Sequence, residues 1–394
     1  MKYADHVDYE LVDSLEGFKR AASALSRGSG RFALDTERAS SFRYDDRAFL
    51  VQVTRPGAPT FLIAPEGLRE EFADVFAPVL NDEAWILHAA GEDIPSLSWL
   101  GLKPGELFDT ELAGRLGGFR RPNLAAMVEE FVGVHLEKGH GREDWSQSPL
   151  PQEWAEYAAL DVAYLEELAT AEAEFLANQN KLSIAEQEFA YLVSTGSAQS
   201  EQRQRTWRDL KGIKSIRSRA SLNVAKHLWE DREYIARVTD TSPGALLSNR
   251  ALIEIAKEMP SSKRSVHRIR GVSRKFDPWD SLVQAREDSP AVYPLIEREH
   301  SYPPGKSYWE REHPDSWQVL QQIRADVLDL SEDIEIPVEN ILAPKLLSET
   351  VWETTNGSSQ SASWTTHRMA SLLGEKGARE WQIQLTAPII VGQL

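Results

Sequence analysis

The chain has 394 residues, with 44 Lys and Arg against 61 Asp and Glu, a formal net charge of −17. That length exceeds one ordinary core and predicts two or three domains. The absence of cysteine excludes a disulfide framework, thiolate chemistry and a Cys-ligated zinc site.

The N-terminal stretch MKYADHVDYELVDS is acidic and broken, unlike a signal peptide. No apolar run reaches the roughly 18 residues of a membrane span. A cytoplasmic protein without membrane contact is therefore expected. In chain order, YELVDS is a short strand candidate, and Ser14 is placed to cap the amphipathic helix pattern that follows it. RFALD and AFLVQVT are apolar, β-rich runs separated by the polar loop TERASSFRYDDR. PTFLIA is a third such run, EEFADVFAPVL a helix and AWILHA another strand. A helix begins within EDIPSLSWLGL, and helices dominate from DTELAGRLGG to LDVAYLEELATAEAEFLANQ. Strands first and helices after predict an α/β or α+β unit, a mixed sheet covered by helices.

From about residue 201 the strand signals vanish, and short helices are punctuated by Gly, Pro and Ser. Segment 276–316 holds six of the 20 prolines with several Trp and Tyr, and reads as a packed connector. Helical periodicity returns over 317–394, interrupted by the polar stretch TTNGSSQSASWTT, which reads as a mobile loop. The expected division is 1–185, 201–280, a connector over 281–316, and 317–394. The two all-α modules could be two copies of one helical unit.

The run FALDTE ends an apolar strand in two carboxylates. Residues i and i+2 of a strand share a face, so Asp35 and Glu37 project side by side. Adjacent carboxylates repel unless a proton or a cation lies between them. Further on, WILHAAGEDIPSL places His88 and then Asp93 where a strand gives way to a helix. YAALDVAYL puts Tyr157 and Asp161 at i and i+4 on one helical face. Each piece also has a plain reading: solvated strand-end acids, a helix N-terminal Asp, a surface Tyr–Asp contact. Together, four carboxylates without Cys or clustered His suit two hard divalent cations, Mg²⁺ or Mn²⁺. Two such ions about 4 Å apart can clamp a phosphodiester, and a neighbouring tyrosine hydroxyl can hold the attacking water. His88 is expected to pack or hydrogen-bond beside this group.

The charge is unevenly spread. Residues 201–275 carry 18 Lys and Arg against 8 Asp and Glu, while the rest of the chain is strongly acidic. This asymmetry fits a polyanion partner or, more simply, a solvated basic helical face. The candidate contacts are Arg203, Arg205, Lys211, Lys214, Arg217, Arg219, Arg264, Arg268 and Arg270.

The ordered motifs resemble the ribonuclease D family of the DEDD exonuclease superfamily. FALDTE is similar to its first motif, LHAAGED to its second and YAALD to its third, in the tyrosine-containing subclass. FDTELAGRL resembles a further family segment in which Asp109 is structural rather than a ligand. RTWRDLKGIKSI and the helices after it resemble a helicase-and-RNase-D C-terminal (HRDC) domain, and LSEDIEIPVENILAPKLL a second, divergent copy. One departure is Arg38, where the family commonly has an aromatic; it is free either to meet a phosphate or to lie on the surface.

The resemblance implies an RNase H-like sheet flanked by helices and two HRDC-type bundles. It implies metal-dependent removal of nucleoside 5′-monophosphates from RNA 3′ ends by Asp35, Glu37, Asp93, Tyr157 and Asp161. It also implies tRNA precursors and small structured RNAs as substrates, held by the basic module; the protein is expected to be a monomer. Three alternatives stay open: a DNA exonuclease of the same superfamily, a nucleic-acid-binding protein with a decayed site, and an RNase H-like endonuclease. The last would not need the Tyr157–Asp161 pair.

Overall fold

The computed structural model describes residues 2–3, 7–137, 139–199, 205–294, 303–356 and 363–394. Arg203 and the centre of the TTNGSSQSASWTT stretch lie outside them. The strands are β1 (Lys2–Tyr3), β2 (Tyr9–Val12), β3 (Phe32–Arg38), β4 (Ala48–Thr54), β5 (Thr60–Ile63), β6 (Ala84–Leu87), β7 (Glu106–Asp109) and β8 (Val134–His135). Six form a mixed sheet in the order β2-β5-β4-β3-β6-β7, while β1 pairs with β8. The β3–β4 and β4–β5 pairs are antiparallel and the others parallel. The sheet expected from the sequence is present.

Helices α1 (Leu15–Arg27), α2 (Arg69–Leu80), α3 (Ile94–Ser98), α4 (Thr110–Leu116), α5 (Leu124–Phe131), α6 (Gln152–Ala163), α7 (Leu165–Asn178) and α8 (Leu182–Gln199) surround the sheet. Ser14 caps α1 by accepting from the Gly17 amide, as its position predicts. The alternation of β3 and β4 splits the core in two. Leu34, Val51, Val53 and Ile63 join Phe18, Phe72 and Phe76 of α1 and α2. The three rings pack edge-on or tilted, with centroids 4.7 to 5.9 Å apart. On the other side, Leu50 and Leu62 pack with Trp154, Ala155, Ala158 and Ala159 of α6. The small alanines let α6 lie close to the strands, which sets its polar residues at the end of β3.

The basic module comprises α9 (Arg219–Val238), α10 (Pro243–Leu246), α11 (Asn249–Glu258), α12 (Lys263–Val266) and α13 (Pro278–Glu287). It has a core of its own around Trp207, Leu228, Leu252, Ile255, Phe276 and Leu282. The last module holds α14 (Lys306–Glu312), α15 (Pro314–Ile334), α16 (Val338–Ile341), α17 (Pro344–Asn356), α18 (Thr366–Glu375) and α19 (Glu380–Gly392). The same backbone sequence recurs in both modules. A long helix ends near a left-handed residue, Asp240 (φ 45°) or Glu335 (φ 51°). A one-turn helix follows, started by Pro243 or preceded by Pro337. An extended leucine, Leu247 (φ −151°) or Leu342 (φ −156°), then leads to the next helix.

The two modules attach differently. The last one shares a continuous apolar core with the sheet unit, which includes Phe108 and Phe189 as well as Leu320 and Ile390. Glu188 of α8 is the polar anchor, accepting from Arg379 Nε and Nη2 at 2.6 Å each and from Trp381 Nε1 at 2.7 Å. The basic module is held instead by the β3–β4 loop. Ser242 N donates to the Phe42 carbonyl at 3.0 Å. The Asp240 carboxylate accepts from Arg47 at 2.8 and 3.1 Å, Arg43 at 3.4 Å and the Tyr44 amide at 3.3 Å. The polarity of this joint is notable for the charge argument: the basic module contributes the acid and the acidic unit the arginines.

Candidate active site

The ladder between β3 and β4 shifts register between Glu37 and Arg38, where the strand opens into the loop. Asp35 and Glu37 leave the sheet on one side, and α6 lays Asp161 over them. Carboxylate oxygens of Asp35, Glu37 and Asp161 lie within 4.8 Å of one another. Asp93, just ahead of α3, stands outside this closest trio but its charge acts on all three. It is fixed from the opposite face of β3, where the Thr36 hydroxyl donates to it at 2.5 Å and lies 3.2 Å from Ser96 Oγ. Tyr157, one helical turn before Asp161, gives its hydroxyl to the Asp161 carboxylate. All five residues singled out in the sequence are thus gathered at one end of the sheet.

Crowding of buried acids sets the electrostatics. Burial, then the charges of Asp93, Asp161 and Glu37, hold Asp35 well above the usual carboxylate range. Burial and the Asp161 and Asp93 charges push Glu37 up to about 9, against the pull of Arg38. Burial raises Asp161 to about 7 while the Tyr157 hydroxyl opposes the rise. Burial also raises Asp93 to about 6, opposed by Thr36 and Arg38. The Tyr157 phenol is held above its ordinary value by burial and then by the Asp161, Glu37 and Asp35 charges, so it remains a proton donor at neutral pH. Four carboxylates cannot all ionise here unaided. A divalent cation would relieve that repulsion, and the all-oxygen donor set fits a hard ion.

Several residues support the cluster, of which Gly139 and His140 escaped the sequence reading. Arg38 neither lies on open surface nor faces away from the site. Its guanidinium bonds Asp46 at 3.2 Å and the Glu92 carbonyl, and sits 3.8 Å from the Glu92 carboxylate. It ties the β3–β4 loop to the residue before Asp93. His88 hydrogen-bonds Thr110 Oγ1 at 2.8 Å, and burial lowers its pKa to about 4 against the Pro122 carbonyl contact. A neutral packing histidine is the result. Asp109 accepts from the amides of Ala89, Ala90, Glu111 and Leu112 at 2.9 to 3.1 Å, which caps α4 and pins the turn leading to Asp93. Gly139 lies against Tyr157, where an added Cβ would come within 2.9 Å of the ring. The His140 ring stands edge-on to Tyr157 at 5.7 Å.

Of the basic candidates, Arg205, Lys211, Lys214, Arg217, Arg219, Arg264, Arg268 and Arg270 are all exposed. They fall in two stretches of the basic module, 205–219 and 264–270, and none is in an ion pair among the described residues.

Comparison with known proteins finds similar chains. Residues 9–171 match the family model for a 3′-5′ exonuclease. Residues 221–276 match the HRDC domain, and 302–394 the 3′ to 5′ exonuclease C-terminal domain. Ribonuclease D of Bartonella henselae is 26% identical over 332 residues, covering 83% of this chain and 78% of that protein. A crystal structure of a protein from Bifidobacterium adolescentis superposes with a TM-score of 0.85 at 33% identity, over 97% of this chain and 96% of that one. The crystal structure of Escherichia coli RNase D, described as an exoribonuclease involved in structured RNA processing, superposes with a TM-score of 0.67 at 22% identity. That match covers 94% of this chain and 98% of the other, and establishes a shared fold.

Proposed function

The chain belongs to the ribonuclease D-like 3′–5′ exoribonucleases, and on that footing we propose that it trims the 3′ ends of structured RNAs, tRNA precursors among them, at the Asp35–Glu37–Asp93–Asp161 cluster. The observation that carries this reading is the packing of three carboxylates within 4.8 Å, one of them bonded to a tyrosine hydroxyl. Asp35, Glu37, Asp93 and Asp161 would hold two divalent cations, Mg²⁺ or Mn²⁺. Such ions supply a polarised phosphodiester, charge relief for the leaving oxygen and water of lowered pKa.

The remaining work falls to side chains of this chain. Tyr157 keeps its proton and donates it to Asp161, which leaves the phenol oxygen free to accept from a water and hold it in line. Thr36 fixes the Asp93 carboxylate, and Ser96 donates to the Asp93 backbone carbonyl. Arg38 offsets part of the local negative charge without occupying the cluster, since Asp46 and Glu92 hold it to one side. The exposed bases of residues 205–270 then draw RNA toward a site that would repel it when empty. Among the described residues no helix is long and apolar enough to cross a membrane.

The test is a tRNA carrying a short 3′ extension, incubated with Mg²⁺ beside a DNA strand of matched sequence. Stepwise loss of the extension from RNA, with release of nucleoside 5′-monophosphates, is expected. Preferential shortening of the DNA, or cuts inside the tRNA, would overturn the reading.

A further inference from the structure

Strand β4, Ala48–Thr54, carries one amide within its apolar run 48–53. Its residues from Ala48 to Val53 are all buried, and Gln52 is 0% exposed. Neither Nε2 nor Oε1 of Gln52 has a hydrogen-bond partner. An unpaired amide in a strand interior costs roughly 1–3 kcal/mol, and a leucine or valine there would cost nothing of the kind. Fold stability alone therefore gives no reason for glutamine at this position.

The register supplies one. Gln52 stands opposite Asp35 on β3 and opposite Leu62 on β5. Residues directly opposed on antiparallel strands share a face, with Cβ atoms about 5 Å apart. Above this row, α6 contributes Ala158 and Ala159, packed with Leu50 and Leu62. Gln52 thus has an apolar roof, an apolar neighbour on one side and the Asp35 carboxylate on the other. Asp35 has room for it. An ionised carboxylate offers about four acceptor sites, and the hydrogen bond that bears on Asp35 here comes from the Thr36 backbone.

We infer that Gln52 is a positioning residue for Asp35: its buried amide donates to the Asp35 carboxylate and holds the other oxygen toward the cation site. The inference rests on the cation-binding reading of the cluster. A partner of this kind, behind a ligand, typically controls metal affinity by about 10- to 100-fold. Asp35 turned toward a bound cation would present its other oxygen to the Gln52 amide and so pair it. Part of the cost of burying Gln52 is then offset only in the loaded protein.

The experiment is a calorimetric titration of the full chain with Mn²⁺, alongside thermal melts in chelator. Wild type is compared with Gln52→Met and Gln52→Leu, both of which remove the hydrogen-bonding atoms; either one, if folded, suffices. The expected result is Mn²⁺ affinity weakened by about 10-fold or more, with a metal-free melting temperature equal to or above wild type. The Mn²⁺ concentration for half-maximal hydrolysis should rise by the same factor. Affinity within twofold of wild type would overturn the role. So would a loss of affinity that comes with a lower metal-free melting temperature, or failure of both variants to fold, because Gln52 would then serve the fold. If wild type itself binds no Mn²⁺, the cation reading fails first, and that result is distinct from equal binding by wild type and variant.

Discussion

Replacing Glu37 by Gln should stabilise the metal-free protein at pH 8 and leave it unchanged at pH 5. Glu37 is 8% exposed, and its pKa is raised from an ordinary 4.5 to about 9 by burial, Asp161 and Asp93. The folded state therefore binds this proton more tightly than the unfolded chain does. Below pH 4.5 both states are protonated and nothing is lost. Between 4.5 and 9 the unfolded chain releases its proton first, and stability falls by about 1.4 kcal/mol per pH unit. At pH 8 that gives a ceiling of roughly 5 kcal/mol. Relaxation and the repulsion shared with the other acids reduce the expected gain to about 2 kcal/mol. For a domain of this size each kcal/mol moves the melting temperature by roughly 2–4 °C. Calorimetry in chelator should thus show Glu37→Gln melting about 4–8 °C above wild type at pH 8, with the difference nearly gone at pH 5. Equal or lower melting at pH 8, or the same gain at both values, would refute the argument that crowded acids strain this site.

Two other perturbations probe separate parts of the site. Tyr157→Phe removes the hydroxyl that Asp161 accepts, and should lower kcat by about 100-fold while RNA affinity changes little; single-turnover rates against binding isotherms separate the two, and a pure loss of affinity would make Tyr157 a substrate contact. Asp240→Asn weakens the joint that Arg43, Arg47 and the Tyr44 amide make with the basic module, so hydrogen exchange over residues 39–47 should accelerate; unchanged protection there would show that the apolar contacts alone hold the loop.

The readable parts of the sequence were those whose geometry is local. Asp35 and Glu37 share a face because strands have a period of two, and Tyr157 and Asp161 share one because helices repeat near four. Ser14 could be read as a cap for the same reason. The partners of Arg38 and Asp240 could not, because they depend on contacts 54 and 193 residues away in the chain. The basic module read as a polyanion-binding arm or a solvated basic face, and the structure shows it also buttressing the loop that follows Glu37. Gln52 did leave a signal, one amide in the apolar run AFLVQVT. That signal gains meaning only from the strand register. Glu172 left none: it is 1% exposed on α7, with both carboxylate oxygens unpartnered, and burial pushes it up to about 9. Nothing in its helical surroundings marks it in the sequence.

The carboxylate cluster is expected to remove nucleotides from RNA 3′ ends only when a divalent cation is bound. The most direct test follows a 5′-labelled, single-stranded RNA with a free 3′ hydroxyl through time, with wild type and Asp161→Asn, each in Mg²⁺ and in chelator. Wild type in Mg²⁺ should give a ladder that shortens one nucleotide at a time from the 3′ end. The same enzyme in chelator, and the folded variant in either condition, should leave the RNA intact. A ladder that persists in chelator or in the variant, or internal cuts in place of a ladder, would contradict the claim.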